Sequence, residues 1–370
     1  STFRNVSSFD DGSRNLASGP GEKAGIYLRS ASWPVILEDI SVVDAQGSGI
    51  LLWKGGAIGH NWTSNQNGGV GIDVREFHPE VRGLTSSMNQ LSGVRVMDSS
   101  NVWIEDAFTF ENGAMAPLNS EGAGFSFIRS NDFVSSGKNV SCVNCTSDRD
   151  KVGFSMVDSV DLQLIGISSL SPQSGLAIFG DGANLQRNGP VLIHGADLQT
   201  DSTNPAVILQ SVDAHLVDVS VSGSSGGLEW SPASSLQSSM INSQITGTSG
   251  CTLFSGFHSM AIENVVFNCP SQYQPTIHSS RLSVTNTELN GPSSLNLSSG
   301  SVVNWISSSP ITDPSSDDPD DLLNISWMIQ AEAVNQNGYG IPHAELNLTF
   351  DSHQQDQIVI LPYSGKSSIG

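Results

Sequence analysis

Apolar and polar residues alternate with a period of two along most of this chain, in short runs broken by Ser, Asp, Asn or Gly. One copy of the recurring phrase is Gly93-Val94-Arg95-Val96, a turn at Ser99-Ser100-Asn101, then Val102-Trp103-Ile104. Gly153-Phe154-Ser155-Met156 with Leu162-Gln163-Leu164 is a second, and Ala206-Val207-Ile208-Leu209 with Ala214-His215-Leu216-Val217 a third. Such alternation sends successive side chains to opposite faces of a strand. Helical spacing is not apparent in any copy. The first apolar residue of each copy serves as a phase marker: Ile26, Ile50, Ile72, Val94, Phe125, Phe154, Leu176, Val207, Leu228, Thr252, Ile277 and Leu295. Steps of roughly 22 to 30 residues mean a stacked solenoid. Short strands joined by turns of such variable length stack in parallel, with every inward face in one core.

The expected fold is therefore all-β: a right-handed parallel β-helix of about 11–12 coils over residues 1–309. Its first strands point Tyr27, Leu51, Asp73, Arg95, Ser126, Ser155, Ala177, Ile208 and Glu229 outward, which predicts a solvated face. Loops are expected to interrupt the coils at about 54–69, 111–121, 129–138 and 181–190. Near residue 307 the pattern gives way to Pro, Ser and Asp, and 310–321 reads as an extended acidic linker. Asp317, Asp318, Asp320 and Asp321 are weak candidates for calcium, but their spacing fits no EF-hand loop. Beyond the linker, 322–370 shows strand-like runs at 325–334 and 341–350 around a polar Gly turn.

The repeat resembles those of pectate-lyase-like and copper-accessory-type β-helices, a likeness that implies fold rather than activity. The tail, through Val334, Gly338, Pro342 and Ala344, resembles the opening of a carboxypeptidase-regulatory-like β-sandwich, Ig-like or prealbumin-like. That likeness covers only part of a sandwich and implies a stalk or spacer on a cell surface.

Charge narrows the partners. With 36 acidic against 15 basic residues the formal net charge is −21, which repels nucleic acid and anionic membrane. No apolar run reaches the length of a membrane span, so direct membrane insertion of this segment is not expected. The opening Thr2-Phe3-Arg4-Asn5-Val6 reads as the latter half of a coil, so the sequence is expected to be part of a longer surface protein.

Among the four cysteines, Cys251 and Cys269 bracket one coil and are expected to form a disulfide. Cys142 and Cys145 fit either a tight local disulfide or two small buried apolar side chains. Asn-x-Ser/Thr sequons start at Asn5, Asn61, Asn139, Asn144, Asn296, Asn324 and Asn347, and alternation points the last three outward as glycan candidates.

No catalytic set emerges. Hydrolases of the resembled fold carry Asn-Thr-Asp, Asp-Asp, Gly-His-Gly and Arg-Ile-Lys on successive coils; that set is not intact here, and Asp317-Asp318 and Asp320-Asp321 lie in the linker. Asp73, Arg75, His78 and Arg95 form the best ligand-face candidate, joined by Trp62 as a sugar-stacking ring beside Trp53, His60, Trp103 and Phe108. The bland alternative is an exposed cross-coil ion pair between Asp73 and Arg95, worth little. Asp148, Arg149, Asp150 and Lys151 read as a charged turn.

Two functions follow. The first is a non-catalytic extracellular structural or adhesive module of a cell-surface protein, surface layer or filament, partnered by its own copies or by other surface proteins. The alternative is a polysaccharide-binding or polysaccharide-degrading β-helix. No cofactor is expected unless acidic groups hold calcium, and the missing catalytic strings favour the non-catalytic reading.

Overall fold

A computed structural model describes residues 2–9, 23–116, 122–128, 140–157, 162–180, 191–224, 226–232, 238–291, 294–308, 310–311, 315–316 and 318–326, with only the backbone at 30–33. It also describes 329–332, 345–348, 357–360 and 366–369 as backbone strands. Every assigned element is a β-strand. Those from Thr2 to Ser326 form one continuous parallel arrangement wound as a solenoid of about 12 turns.

Each regular coil has three strands, as in Val207–Gln210, Ala214–Val217 and Ser220–Gly223. Each strand pairs with its equivalent one coil on. The early coils run on without assigned breaks as Ile26–Val43, Ile50–Asn65 and Ile72–Ser87. The expected insert at 54–69 is therefore ordinary coil. Registers connect the phase markers from Ile26 through Leu228. Ile277 pairs with Phe254 and Leu297, two residues beyond the marker position. A slip of two keeps a side chain on its own face, so the inward reading of Ile277 stands and its phase does not.

One apolar core runs from Val35 to Trp305. Its largest enclosed side chains are Trp62, Trp230 and Trp305. Corners between strands use the left-handed conformation. Between the second and third strands this position is held by Asn5, Asp39, Asn61, Gly83, Asp106 and Asn144, and further along by Asp218, Asn242, Asn264 and Asn286, all at positive φ. A coil turns there within one residue, and Gly, Asn and Asp occupy that conformation at least cost.

The solenoid does not stop at 309. Ser315–Ser316 pairs in parallel with Asn296-Leu297, and Leu322–Ser326 with Val302–Ile306. Residues expected to be linker and the start of a sandwich therefore include a further coil. Beyond it lie two antiparallel pairs, Ile329–Glu332 with Lys366–Ile369 and Glu345–Leu348 with Gln357–Ile360. Val334, Gly338, Pro342 and Ala344 lie outside the described residues.

Candidate functional site

Register places Asp73, Arg95, Ser126, Ser155, Ala177, Ile208 and Glu229 in one outward row of the first sheet. The row is not the solvated face that alternation predicts. Leu51, Asp73, Ser126, Ser155 and Ala177 are buried, while Tyr27 and Glu229 are exposed. Ser155 Oγ has no hydrogen-bond partner among the described residues. A parallel row on the same face carries Met97, Ile128, Val157 and Phe179, all half-buried. Alternation reports which side of a strand a residue faces, not what lies over that side.

Asp73 is the centre of the charged end. It is 0% exposed, and its Oδ2 meets Arg75 Nη2 at 2.6 Å and Arg95 Nη2 at 2.7 Å. Arg75 and Arg95 each donate a further bond through Nε, at 3.0 and 3.1 Å. Burial alone would push the Asp73 carboxyl up, but the hydrogen bonds and charge of Arg95, then those of Arg75, outweigh it and hold the group below its ordinary value. This is a desolvated Arg–Asp–Arg triad, not the exposed pair the spacing suggested. Arg95 is 11% and Arg75 29% exposed. Nearby, Arg29 lies over the Trp53 ring at 5.0 Å, and Lys54 Nζ is 3.4 Å from Glu76. With Asp98 beside Glu76 at the same corner of the next coil, four cations against three carboxylates leave this end of the face with a small basic excess within an acidic chain.

The other ligand-face candidates do not join the triad. Trp62 is a core residue whose indole N–H donates to the Leu37 carbonyl at 3.0 Å. An alternating outward reading fails there because the left-handed residue Asn61 turns the chain just before it. His78 is exposed, with Nδ1 against the Ser100 carbonyl. Trp53, Trp103 and Phe108 fall on the first, second and third sheets respectively, so no aromatic platform forms from them.

The charged turn at 148–151 is not simply a solvated one. Asp150 is fully buried and ends an interior ladder of amides. Asn67 Nδ2 donates to Asn89 Oδ1 at 2.7 Å, Asn89 Nδ2 to Asn112 Oδ1 at 2.8 Å, and Asn112 Nδ2 to Asp150 Oδ1 at 2.8 Å. The backbone N–H of each Asn donates to the same oxygen as its side chain. Asp150 Oδ2 accepts from Thr109 Oγ1 and Ser147 Oγ, both at 2.6 Å. Burial pushes the Asp150 carboxyl up to about 6, against the lowering effect of these four donors. The ladder also explains the glycine of the repeat. A Cβ on Gly71 would meet Ser86 Oγ and come within 2.6 Å of Asn89 Nδ2, and Gly49 and Gly93 face equivalent groups. Ser/Thr-x-x-Asn/Asp, at Ser64, Ser86, Thr109 and Ser147, was the sequence signal for it.

Both cysteine pairs are joined, Cys142 to Cys145 and Cys251 to Cys269. Asn5, Asn61 and Asn144 all occupy left-handed corners. After such a corner comes an inward residue and then an outward Ser or Thr, so the coil itself generates Asn-x-Ser/Thr. Asn61 Nδ2, the atom a glycan would take, donates to Asp39 at 3.0 Å, and Asn144 Nδ2 to Asp106 at 3.2 Å. Asn296 is half-buried and Asn324 exposed. Asn139 lies outside the described residues, and Asn347 is described only within a backbone strand. Asp321 accepts from Ser301 N at 2.7 Å and Ser316 Oγ at 2.8 Å, and Asp318 Oδ1 from Asp320 N at 2.9 Å. These acids close a turn of the last coil, and no group of three or more metal-binding side chains occurs among the described residues. Asp317 lies outside them.

No family model, curated protein or solved structure shows significant similarity to the chain.

Proposed function

We propose that this chain is a non-catalytic extracellular structural or adhesive module, built on a pectate-lyase-like β-helix repeat and followed by a small β-sandwich spacer. One observation carries the reading. The only described carboxylates on the first outward row between Tyr27 and Ser315 are Asp73 and Glu229, and six register steps separate them. At ~4.8 Å per strand they stand roughly 29 Å apart, whereas paired glycosidase carboxylates stand about 5–10 Å apart. Asp73 is moreover held ionised between two arginines, so it has no proton to give. Two disulfides fit an oxidising compartment.

A second reading, binding of an acidic polysaccharide, is favoured by the local excess of Arg29, Lys54, Arg75 and Arg95. Incubation with polygalacturonate, alginate and xylan tests the first reading, and co-sedimentation with insoluble polygalacturonate, lost in an Arg95→Ala variant, tests the second. No new reducing ends and no unsaturated uronate absorbance are expected, and release of either overturns the non-catalytic reading. An antibody to residues 238–290 should label intact source cells. Labelling only after permeabilisation overturns the extracellular assignment.

A further inference from the structure

The outward row of the first sheet continues past Glu229 through Leu253, Thr276, Asn296 and Ser315. There the face changes character. A shallow pocket of about 510 Å³ opens between this row and the segment 270–275. Its wall holds one aromatic ring, that of Tyr273, the side-chain amides of Gln272, Gln274 and Asn296, and no charged side chain.

The segment that carries the ring is held on both sides. The Cys251–Cys269 disulfide ties its start to the preceding coil, Pro270 and Pro275 bound it, and Tyr273 N donates to the Pro270 carbonyl at 2.9 Å. Tyr273 is nevertheless 39% exposed. A large apolar ring presented to water on a stapled loop is a preformed contact surface, with little ordering left to do on binding. The amides are oriented too. Ser315 Oγ lies 3.1 Å from Gln274 Oε1 and 3.2 Å from Asn296 Oδ1. The single Ser315 hydroxyl hydrogen serves one of these oxygens at a time, and the Gln274 and Asn296 NH₂ groups have no partner among the described residues. Thr252, also in the wall, has a buried hydroxyl without a partner among the described residues.

We propose that this pocket binds a neutral oligosaccharide, stacked on Tyr273 and hydrogen-bonded by Gln272, Gln274 and Asn296. A sugar ring has one C–H-rich face for an aromatic and a rim of hydroxyls for amides, which is the chemistry displayed here. The net charge of −21 disfavours a uronic-acid chain at a site with no cation. The inference deepens the adhesive half of the proposed function and rests on it.

The test uses the full chain made in a host without N-glycosylation, so that Asn296, which begins Asn296-Leu297-Ser298, is unmodified. Cellotetraose, mannotetraose and tetragalacturonate are titrated calorimetrically, and the ligands recovered are sized by chromatography. At least one neutral tetrasaccharide should saturate with a Kd between about 10 μM and 1 mM, and any tetragalacturonate bound at the basic end should be unaffected by Tyr273→Ala. Tyr273→Ala should weaken binding about tenfold, Tyr273→Phe should retain it, and Gln244→Ala on the third sheet should leave it unchanged. No saturable binding of a neutral sugar at about 10 mM, tetragalacturonate binding that Tyr273→Ala abolishes, or neutral-sugar binding that Tyr273→Ala leaves unaffected overturns the pocket assignment alone. Shortened sugars overturn the non-catalytic function instead.

Discussion

Replacing Asp150 by Asn tests the account of the ladder. The Asp150 carboxyl lies at about 6 in the folded chain and near 3.8 when unfolded. The folded state therefore holds the proton more tightly. Its contribution is fully present below about pH 4 and is lost as pH rises through about 6. Roughly two pKa units correspond to about 3 kcal/mol, lost because the ionised carboxylate is desolvated. The introduced amide would keep the acceptor for Asn112 but place an NH₂ where Thr109 and Ser147 now donate, at a cost that does not depend on pH. The useful quantity is therefore the stability of Asp150→Asn minus that of the native chain, followed from pH 4 to pH 7. It should rise by about 3 kcal/mol. A long solenoid unfolds in parts, so the assay should be local. Native-state hydrogen exchange at the Asn112 amide, which donates to Asp150 at 2.7 Å, reports opening at the ladder's end. A difference that stays flat across this range would refute the claim that burial dominates the site.

The triad titrates with the opposite sign. Asp73→Asn should destabilise the early coils by about 3 kcal/mol at pH 7, since two largely desolvated arginines lose their partner. Because the Asp73 carboxyl is held below its ordinary value, that gap should narrow as pH falls below about 4, as urea unfolding followed by Trp53 fluorescence would show. Gly71→Ala should cost about 1–3 kcal/mol through overpacking against Ser86 and Asn89, measured by the same unfolding. At the left-handed corner of Asn264, φ 54°, Ala should cost about 1 kcal/mol and Gly should be nearly neutral, compared by thermal melting.

The coil was legible because a parallel core forces alternation, and Ile50, Ile72 and Val94 carry that signal without competition. Ile277 slipped by two because Thr252 and Pro275 replace the apolar marker there, and face is insensitive to an even shift. The last coil was hidden by its chemistry. Asp and Pro at 313–321 look like a solvated linker, yet Asp321 caps Ser301 and Leu322–Ser326 continues the stack. Asp73 and Trp62 depart from the alternation for different reasons. Burial of the first depends on what covers its face, and the orientation of the second on a left-handed residue before it. The ladder is hard to read because Ser-x-x-Asn looks like turn chemistry and its recurrence is uneven, at steps of 22, 23 and 38 residues.

The ladder also has a direction. Every amide from Asn67 onward gives one side-chain hydrogen to the next coil and keeps the other for its own or the preceding one, and the Asp150 carboxylate has none to pass on. A duplicated 22-residue unit inserted between Ala45 and Asn112 would arrive with both its acceptor and its donor matched. The same unit placed after Asp150 would find no donor waiting. Growth of this molecule by coil duplication is therefore easier on one side of Asp150 than on the other, and the early coils, so alike in length, are where such copying would leave its trace.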